Sequence, residues 1–367
     1  MPDLSRRKTL ALIGGGTILA ATGGLATFAA TRTPHAALAP WDAAGTYADP
    51  RMRALSYALL APNPHNRQPW EAELTGTDGI AIWRDPARDL PVTDPHARQL
   101  TIGMGCFLEL CRMAAAEEGY ATDTVLFPEG EDGPVARLTL TEGGTPDPLF
   151  AHVMARRSHK EAFDPRPVGP EASVLAEHAD LHLVGETRDA IRTIAHDAWM
   201  AEVSTPAALK ESIDLLRIGR AEIEANPDGI DLGGPMMEGL ARVGLLTREA
   251  AMDLDNPGTR ANVEATAAAI LGAPGMVVQT TATNTRADQI EVGRRWLRLN
   301  LAATGAGLAL RPVSQALQEY PEMAAHFDAI HAIAAPDGGT VQMLGLLGYA
   351  EPTPRTPRWP LDTRMRA

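Results

Sequence analysis

The stretch Ala61-Pro62-Asn63-Pro64-His65-Asn66-Arg67-Gln68-Pro69-Trp70 decides how the rest of the chain is read. It separates a helical pattern, Arg51 to Leu60, from a strand pattern that starts near Glu71. Pro62, Pro64 and Pro69 hold the backbone extended and remove donors from it. Asn66 and Gln68 each bring a carbonyl acceptor and a pair of N–H donors into the same short span, and His65 adds an imidazole. Two readings are open. One is a rigid helix-to-strand turn with solvated polar groups; the other is a loop that fixes amides against a polar ligand.

Around this stretch the chain is an ordinary globular one. It has 367 residues, 45% hydrophobic and 22% charged, enough for two lobes or one large domain with a sizeable core. Aromatic content is only 5%, so the core falls to Ala, Leu, Ile, Val and Met. The net charge is -13; residues 1–39 contribute +3 (Arg6, Arg7, Lys8 and Arg32 against Asp3), which leaves -16 on the remainder. An acidic body of that size repels phosphate backbones and argues against a nucleic-acid partner. The two cysteines, Cys106 and Cys111, stand five apart in a helical pattern, on different faces, and read as small buried apolar groups.

The first 39 residues read as a targeting segment. Ser5-Arg6-Arg7-Lys8-Thr9-Leu10 precedes a run without charge from Leu10 to Ala30, rich in Gly, Ala and Thr. This is a twin-arginine signal pattern, which implies the twin-arginine export machinery as a partner, export in the folded state and a periplasmic or other extracytoplasmic location. Ala37-Leu38-Ala39 offers a cleavage site, though Pro40 follows it. The alternative is an uncleaved anchor, since 21 uncharged residues are just long enough to span a bilayer. The membrane enters only through this segment.

Downstream, Trp70–Thr75 and Ile80–Arg84 read as a hairpin across Gly76-Thr77-Asp78-Gly79. Asp94-Pro95 opens a long helix to about Glu118, with Leu100, Met104, Phe107, Leu108, Cys111 and Ala115 at helical spacing. Strands follow near 124–127 and 135–141, then a linker over 143–148. The second half begins with a helical stretch into Ala155-Arg156-Arg157-Ser158-His159-Lys160-Glu161-Ala162-Phe163, an expectation of sequence pattern alone. Helical patterns cover 189–203 and 206–224, broken afterwards at 226–229 and 233–237. That interruption is either a plain helix–helix connection or a mobile cover whose methionines pack on flat rings. A buried strand is expected at 276–281, a helix at 288–304, and a last strand at 341–349. Arg311-Pro312-Val313-Ser314-Gln315 follows the helix, and the tail carries Pro354-Arg355-Thr356-Pro357-Arg358.

Several of these elements together resemble the nitroreductase-type flavoproteins. The Ala61–Trp70 stretch is similar to that family's A-P-S-x-x-N-x-Q-P-W loop, with Asn63 and Pro64 in place of the usual serines. Arg156-Arg157-Ser158 with Phe163 resembles its R-R-S-x-R-x-F element, Lys160 standing where the second basic residue falls. The resemblance implies FMN as cofactor. It implies Asn63, Pro64, Asn66 and Gln68 against the ribityl chain and ring, and Arg156, Arg157, Ser158 and Lys160 at the phosphate. Pro312, Val313, Ser314 and Gln315 would lie at the flavin ring edge, and the basic tail, Arg355 and Arg358, would return to the phosphate. Guanidinium groups suit that task because they bind phosphate oxygens in bidentate fashion. Without the family context, paired arginines are a solvated face and a Pro/Arg tail an exposed arm.

The order of the elements, amides first and R-R-S second, is closest to the single-chain, Acg-type branch. It implies an α+β fold of layered sheet and helices in two fused lobes, 40–148 and 149–367, forming a pseudo-dimer with one complete flavin site and acting as a monomer. The function implied is an FMN-dependent oxidoreductase with ping-pong turnover on a small-molecule substrate of the nitroaromatic or quinone class. The alternative is a flavin-sequestering binding protein with little turnover. No P-loop, nucleophile elbow, dinucleotide fingerprint or C-x-x-C occurs. His178 and His182 have metal-pair spacing without an evident third ligand, so no metal is expected.

Overall fold

The structure, a computed structural model, describes residues 31–366. The Arg6-Arg7 pair and the Leu10–Ala30 run lie outside the described residues. The first described helix, α1 (His35–Ala43), already belongs to the folded body: Ala37 and Trp41 are buried in it. Helix α2 (Pro50–Ala58) starts with Pro50 in its first turn behind Asp49, whose carboxylate accepts the Arg51 N–H at 2.8 Å. The 61–70 stretch follows and delivers the chain into β1 (Trp70–Thr75) and β2 (Gly79–Arg84), an antiparallel hairpin.

The long helix α3 (Arg98–Glu117) begins four residues later than the sequence suggests. Asp94 stands in front of it as a cap, its carboxylate taking the N–H groups of Gln99 at 3.1 Å and Leu100 at 2.9 Å. Strands β3 (Tyr120–Leu126) and β4 (Ala136–Glu142) close an antiparallel sheet of order β1-β2-β4-β3.

The second half opens with β5 (Asp180–His182), then departs on a long excursion: α4 (Glu186–Ser204), α5 (Pro206–Asp214), β6 (Leu216–Ile218), α6 (Gly219–Ala225), β7 (Ile230–Leu232), α7 (Pro235–Arg242), α8 (Arg248–Met252) and α9 (Pro257–Leu271). It returns through β8 (Gly275–Thr281), α10 (Arg286–Gly305), β9 (Ala309–Pro312), α11 (Ala324–Ala334) and β10 (Thr340–Gly348), giving a second antiparallel sheet of order β5-β8-β10-β9. Numbered within each half, both sheets run first-second-fourth-third, and each places a 20-residue helix between its second and third strands. The expected α+β class is what the chain adopts. The helix anticipated over 206–224 is instead two, because Gly219 takes φ +75 and Leu216–Ile218 pairs in parallel with β7.

The two long helices cross at glycines. A Cβ on Gly105 would lie 2.1 Å from the Ile290 carbonyl oxygen, and one on Gly293 would lie 2.0 Å from that of Ile102. Side chains at these positions would hold the backbones apart, so the close crossing depends on both residues. The largest core cluster spans the crossing, joining Leu55, Trp70, Phe107 and Leu110 to Ile290, Trp296, Leu299 and Leu347. After β10 the chain runs back over the first sheet, where Met365 bridges Ala72 and the Arg366 N–H donates to the Ala72 carbonyl at 2.7 Å.

Candidate functional site

The 61–70 loop is locally strained. His65, Asn66 and Gln68 all have positive φ, between 46° and 51°. Asn tolerates that region; His and Gln do so at a cost of roughly 1 kcal/mol or more each. Tertiary bonds hold the shape. The Gln68 backbone N–H donates to Asn63 Oδ1 at 2.7 Å. Asn66 Nδ2 donates to the Pro357 carbonyl at 3.1 Å while Asn66 Oδ1 accepts from Arg358 Nη1 at 2.7 Å. Gln68, fully buried, donates from Nε2 to the Pro227 carbonyl at 2.6 Å and accepts the Trp359 N–H at 2.9 Å. Asn63 and Pro64 pack on Gly103 of α3, whose missing side chain lets the loop lie down.

Next to the loop, arginines gather at the C-terminal end of α2. Arg358 is 3% exposed and donates to the carbonyls of Leu59 at 2.7 Å and of Leu60 and Ala61 at 3.2 Å. Arg156, also 3% exposed, donates from Nη2 to the Leu60 carbonyl at 2.7 Å. Both meet the negative end of the helix dipole, which favours cations there. Trp41 is the floor of the cluster. The guanidinium carbons of Arg157, Arg355 and Arg358 lie 4.8, 5.5 and 5.8 Å from its ring centroid.

These charges are not balanced. Arg355 reaches Asp42 at 2.7 Å, but the hydrogen bonds of Arg156, Arg157 and Arg358 go to neutral oxygens. Among the described residues, Arg156 Nε and Nη1 and Arg157 Nε are buried with no partner. Burial pushes the Arg156 guanidinium down to about 10, with the like charge of Arg157 adding to it, and Arg358 down to about 9. A buried cation with bare N–H groups is costly unless an anion completes it. The donor set, guanidinium N–H groups held in place by the carbonyls at a helix C-terminus, fits a phosphate group through those guanidinium edges.

The remaining anticipated residues spread outward. Ser158 lies on the segment that runs beside β9, where the His159 N–H donates to the Leu310 carbonyl at 2.9 Å. Lys160 turns away to Asp231 at 2.7 Å, on β7. Pro312 ends β9, opposite Gly345 of β10. The Val313 N–H bonds the Leu344 carbonyl, and its side chain enters the second core cluster. Ser314 Oγ donates to Gln99 Oε1 at 2.9 Å, one helical turn from Gly103 on the same face of α3, so Ser314 and the amide loop both rest on that face. Gln315 bonds the buried Glu202 of α4.

Other residues of the site carry no motif. Trp41 is one. Asp228 is another: it takes Arg217 Nη2 at 2.8 Å, Arg67 Nη1 at 3.5 Å and Arg88 Nη1, and so pins the 226–229 turn onto the loop, where the Gly229 N–H donates to the Asn66 carbonyl. The Asn226-Pro227-Asp228-Gly229 run shows a turn in the sequence but not what it lands on. A separate groove of about 610 Å³ lies at the N-terminal ends of α3 and α10, lined among others by Arg98 and Arg286. Arg98 is already bonded there to the Gln342 and Leu317 carbonyls, and Arg286 to Glu131 and the His96 carbonyl. The uncompensated charge is at the Arg156 cluster, so that is the candidate site.

No family model matches the chain. In sequence it is 29% identical over 322 residues to the "Putative NAD(P)H nitroreductase Rv3131" of Mycobacterium tuberculosis (strain ATCC 25618 / H37Rv), covering 83% of this chain and 87% of the relative. It is 26% identical over 330 residues to the "Putative NAD(P)H nitroreductase acg" of the same organism, covering 84% and 93%. Among solved structures it is similar to the FMN-dependent nitroreductase NfnB from Mycobacterium smegmatis in complex with NADPH, at 19% identity over 58% of this chain and 94% of that one, with a TM-score of 0.33. The sequence relatives support an oxidoreductase of nitroreductase type.

Proposed function

We propose that this chain is an FMN-dependent oxidoreductase of the nitroreductase-like type. The observation that carries this reading is Arg156: a buried guanidinium whose Nε and Nη1 are without partners among the described residues, close to a loop of amides. The two sequence relatives, each named a "Putative NAD(P)H nitroreductase" and matched over 87% and 93% of its length, point the same way. When bound, FMN supplies the redox chemistry through its ring. The chain's own residues do the holding. Arg156, Arg157 and Arg358 bind the phosphate, and Trp41 keeps the guanidinium groups in place. Asn66 and Gln68 orient the ribityl chain by exchanging bonds they now make to Pro357 and Pro227. Ser314 and Gln315 border the ring. Donor, an NAD(P)H by analogy with the relatives' names, and acceptor, a nitroaromatic or quinone, visit in turn, which gives ping-pong kinetics.

The matching strand orders of the two sheets and the glycine crossing of α3 and α10 support a fused pseudo-dimer with one flavin site per monomeric chain. The Arg6-Arg7 pattern supports folded export. Titration of apoprotein with FMN, with light scattering in parallel, should give one FMN per monomer. Two per chain, or binding only in a dimer, would reject the pseudo-dimer.

A second reading, flavin sequestration with little turnover, is favoured by the 226–231 segment. Pro227 and Gly229 bond the amide loop, Asp228 holds three arginines, and Asp231 holds Lys160. A cover fastened on both sides restricts access. Anaerobic mixing of the loaded protein with NADPH separates the readings: bleaching of the flavin bands within the mixing experiment supports turnover, and persistent oxidised bands support sequestration.

A further inference from the structure

Helix α7 carries an apolar face that the described body does not cover. Met236 is 68% exposed, Val243 69% and Leu245 66%, with Leu240 between them at 37%. Met236, Leu240 and Val243 follow i, i+4, i+7 spacing, so they line one side of the helix and its exit. Glu238 points the other way and is largely buried, accepting from Arg32 and, at 3.4 Å, from the Arg220 backbone N–H. Contiguous exposed apolar groups of this kind mark a contact surface.

Where the chain enters the described body identifies that contact. Arg32 pairs with Glu238 on α7, and the Thr31 carbonyl accepts from Arg220 Nη1 at 3.1 Å. Thr31 and Arg32, the residues that follow the uncharged run Leu10–Ala30 in the sequence, therefore lie beside α6 and α7. The residues after it are also built into the fold. Ala37 is 2% exposed and its carbonyl accepts the Arg358 N–H at 2.8 Å. Cutting after Ala39 would remove that partner and Arg32, and would leave Pro40 as the new end next to the arginine-clasped Trp41. Ala37-Leu38-Ala39 lies within helix α1, whereas a peptidase needs an extended, accessible strand.

We propose that the N-terminal segment is retained, and that it holds the apolar face of α7 (Met236, Leu240, Val243 and Leu245) against the surface of a lipid bilayer. Among the described residues no helix is long and apolar enough to cross a membrane, so the face lies on the bilayer. This proposal is independent of the flavin reading.

The test uses the full chain in phosphatidylcholine–phosphatidylglycerol vesicles. Cys106 and Cys111 are buried, so Val243→Cys can be labelled selectively with a polarity-sensitive thiol dye. Val184→Cys, at a position 76% exposed just after β5, is the control. The expected result is blue-shifted emission at 243, lost when brominated lipid is used, and neither effect at 184. Equal emission at both positions on vesicle-bound protein would overturn the proposal. A shift at 243 that brominated lipid does not quench would overturn it too, because the face would then be covered by protein. Intact mass of the exported protein gives an independent reading: a mature N-terminus at Pro40 in a membrane-free extract would also overturn it.

Discussion

Replacing Arg156 by methionine should stabilise the apoprotein and weaken FMN binding at once. The fall of the Arg156 guanidinium from its ordinary value to about 10 corresponds, at about 1.36 kcal/mol per pH unit, to a cost of about 3 kcal/mol for keeping the charge buried. The group is 3% exposed, so solvent screening takes little from that figure. Below pH 10 both folded and unfolded chains carry the proton, so the cost is the same at every physiological pH. Methionine removes it, fills most of the volume and brings no donor. The variant loses the bond to the Leu60 carbonyl, about 1 kcal/mol, because Arg358 Nη2 still reaches that oxygen at 3.2 Å. The net expectation is an apoprotein more stable by about 2 kcal/mol in urea. Loss of charge-assisted contacts worth about 1.5–3 kcal/mol each should lower FMN affinity roughly tenfold to a hundredfold or more. Riboflavin, which lacks the phosphate, should bind wild type and variant alike. An apoprotein destabilised by the substitution, or equal weakening of FMN and riboflavin, would show that Arg156 is a structural cap rather than an anion ligand.

Three further outcomes are expected. Glu202 is raised from 4.5 to about 7 by burial, which outweighs its bonds from Gln318 and Gln315; the folded state therefore loses up to about 3 kcal/mol as pH climbs from 4.5 to 7, with no change outside that window. Glu202→Gln should gain on wild type by that amount between pH 4.5 and 8 in parallel denaturation curves, and a pH-independent difference would mean the carboxylate ionises freely. Gly293→Val forces a side chain against the Ile102 carbonyl and should cost about 3 kcal/mol or more, since backbone cannot step aside as a side chain can; a thermal midpoint within a degree of wild type would contradict the tight crossing. Arg6→Lys with Arg7→Lys should leave folded, flavin-loaded protein in the cytoplasm, and normal export of that variant in cell fractions would remove the twin-arginine reading.

What the sequence makes legible is local. The hairpin at Trp70–Arg84, the long helices and the last strand follow from periodicity and turn residues, and they fall within a few residues of the expected positions. Asn66, Gln68, Arg156 and Arg358 stand out only through the resemblance of their motifs; in the structure Asn66 bonds Arg358, Gln68 bonds the next residue, Trp359, and Arg156 and Arg358 share the Leu60 carbonyl. Trp41, Asp228 and Glu202 cannot be found that way. Each matters through partners far along the chain, 315 residues from Trp41 to Thr356 and 161 from Arg67 to Asp228. Lys160, a basic residue at a motif position, pairs in the structure with the half-buried Asp231, a partner that the motif does not reveal. The β6–β7 pair escaped notice because three-residue strands fall below any periodic signal.

The tail that runs back across the first sheet also sets an order of events in biosynthesis. Asn66 and Gln68 find their partners at Pro357, Arg358 and Trp359, about 290 residues later in translation. Arg364 and Arg366 then fasten to Trp70 and Ala72, on the strand that emerged from the ribosome long before. A nascent chain can fold its first sheet and long helix early, yet its amide loop stays open until the final residues are free of the ribosome. Loading of a small molecule at this site is therefore a post-translational event, and a truncated product would leave Leu59, Leu60 and the loop amides without Arg358. Under the folded export proposed above, completion of the tail marks the point at which the cargo is ready.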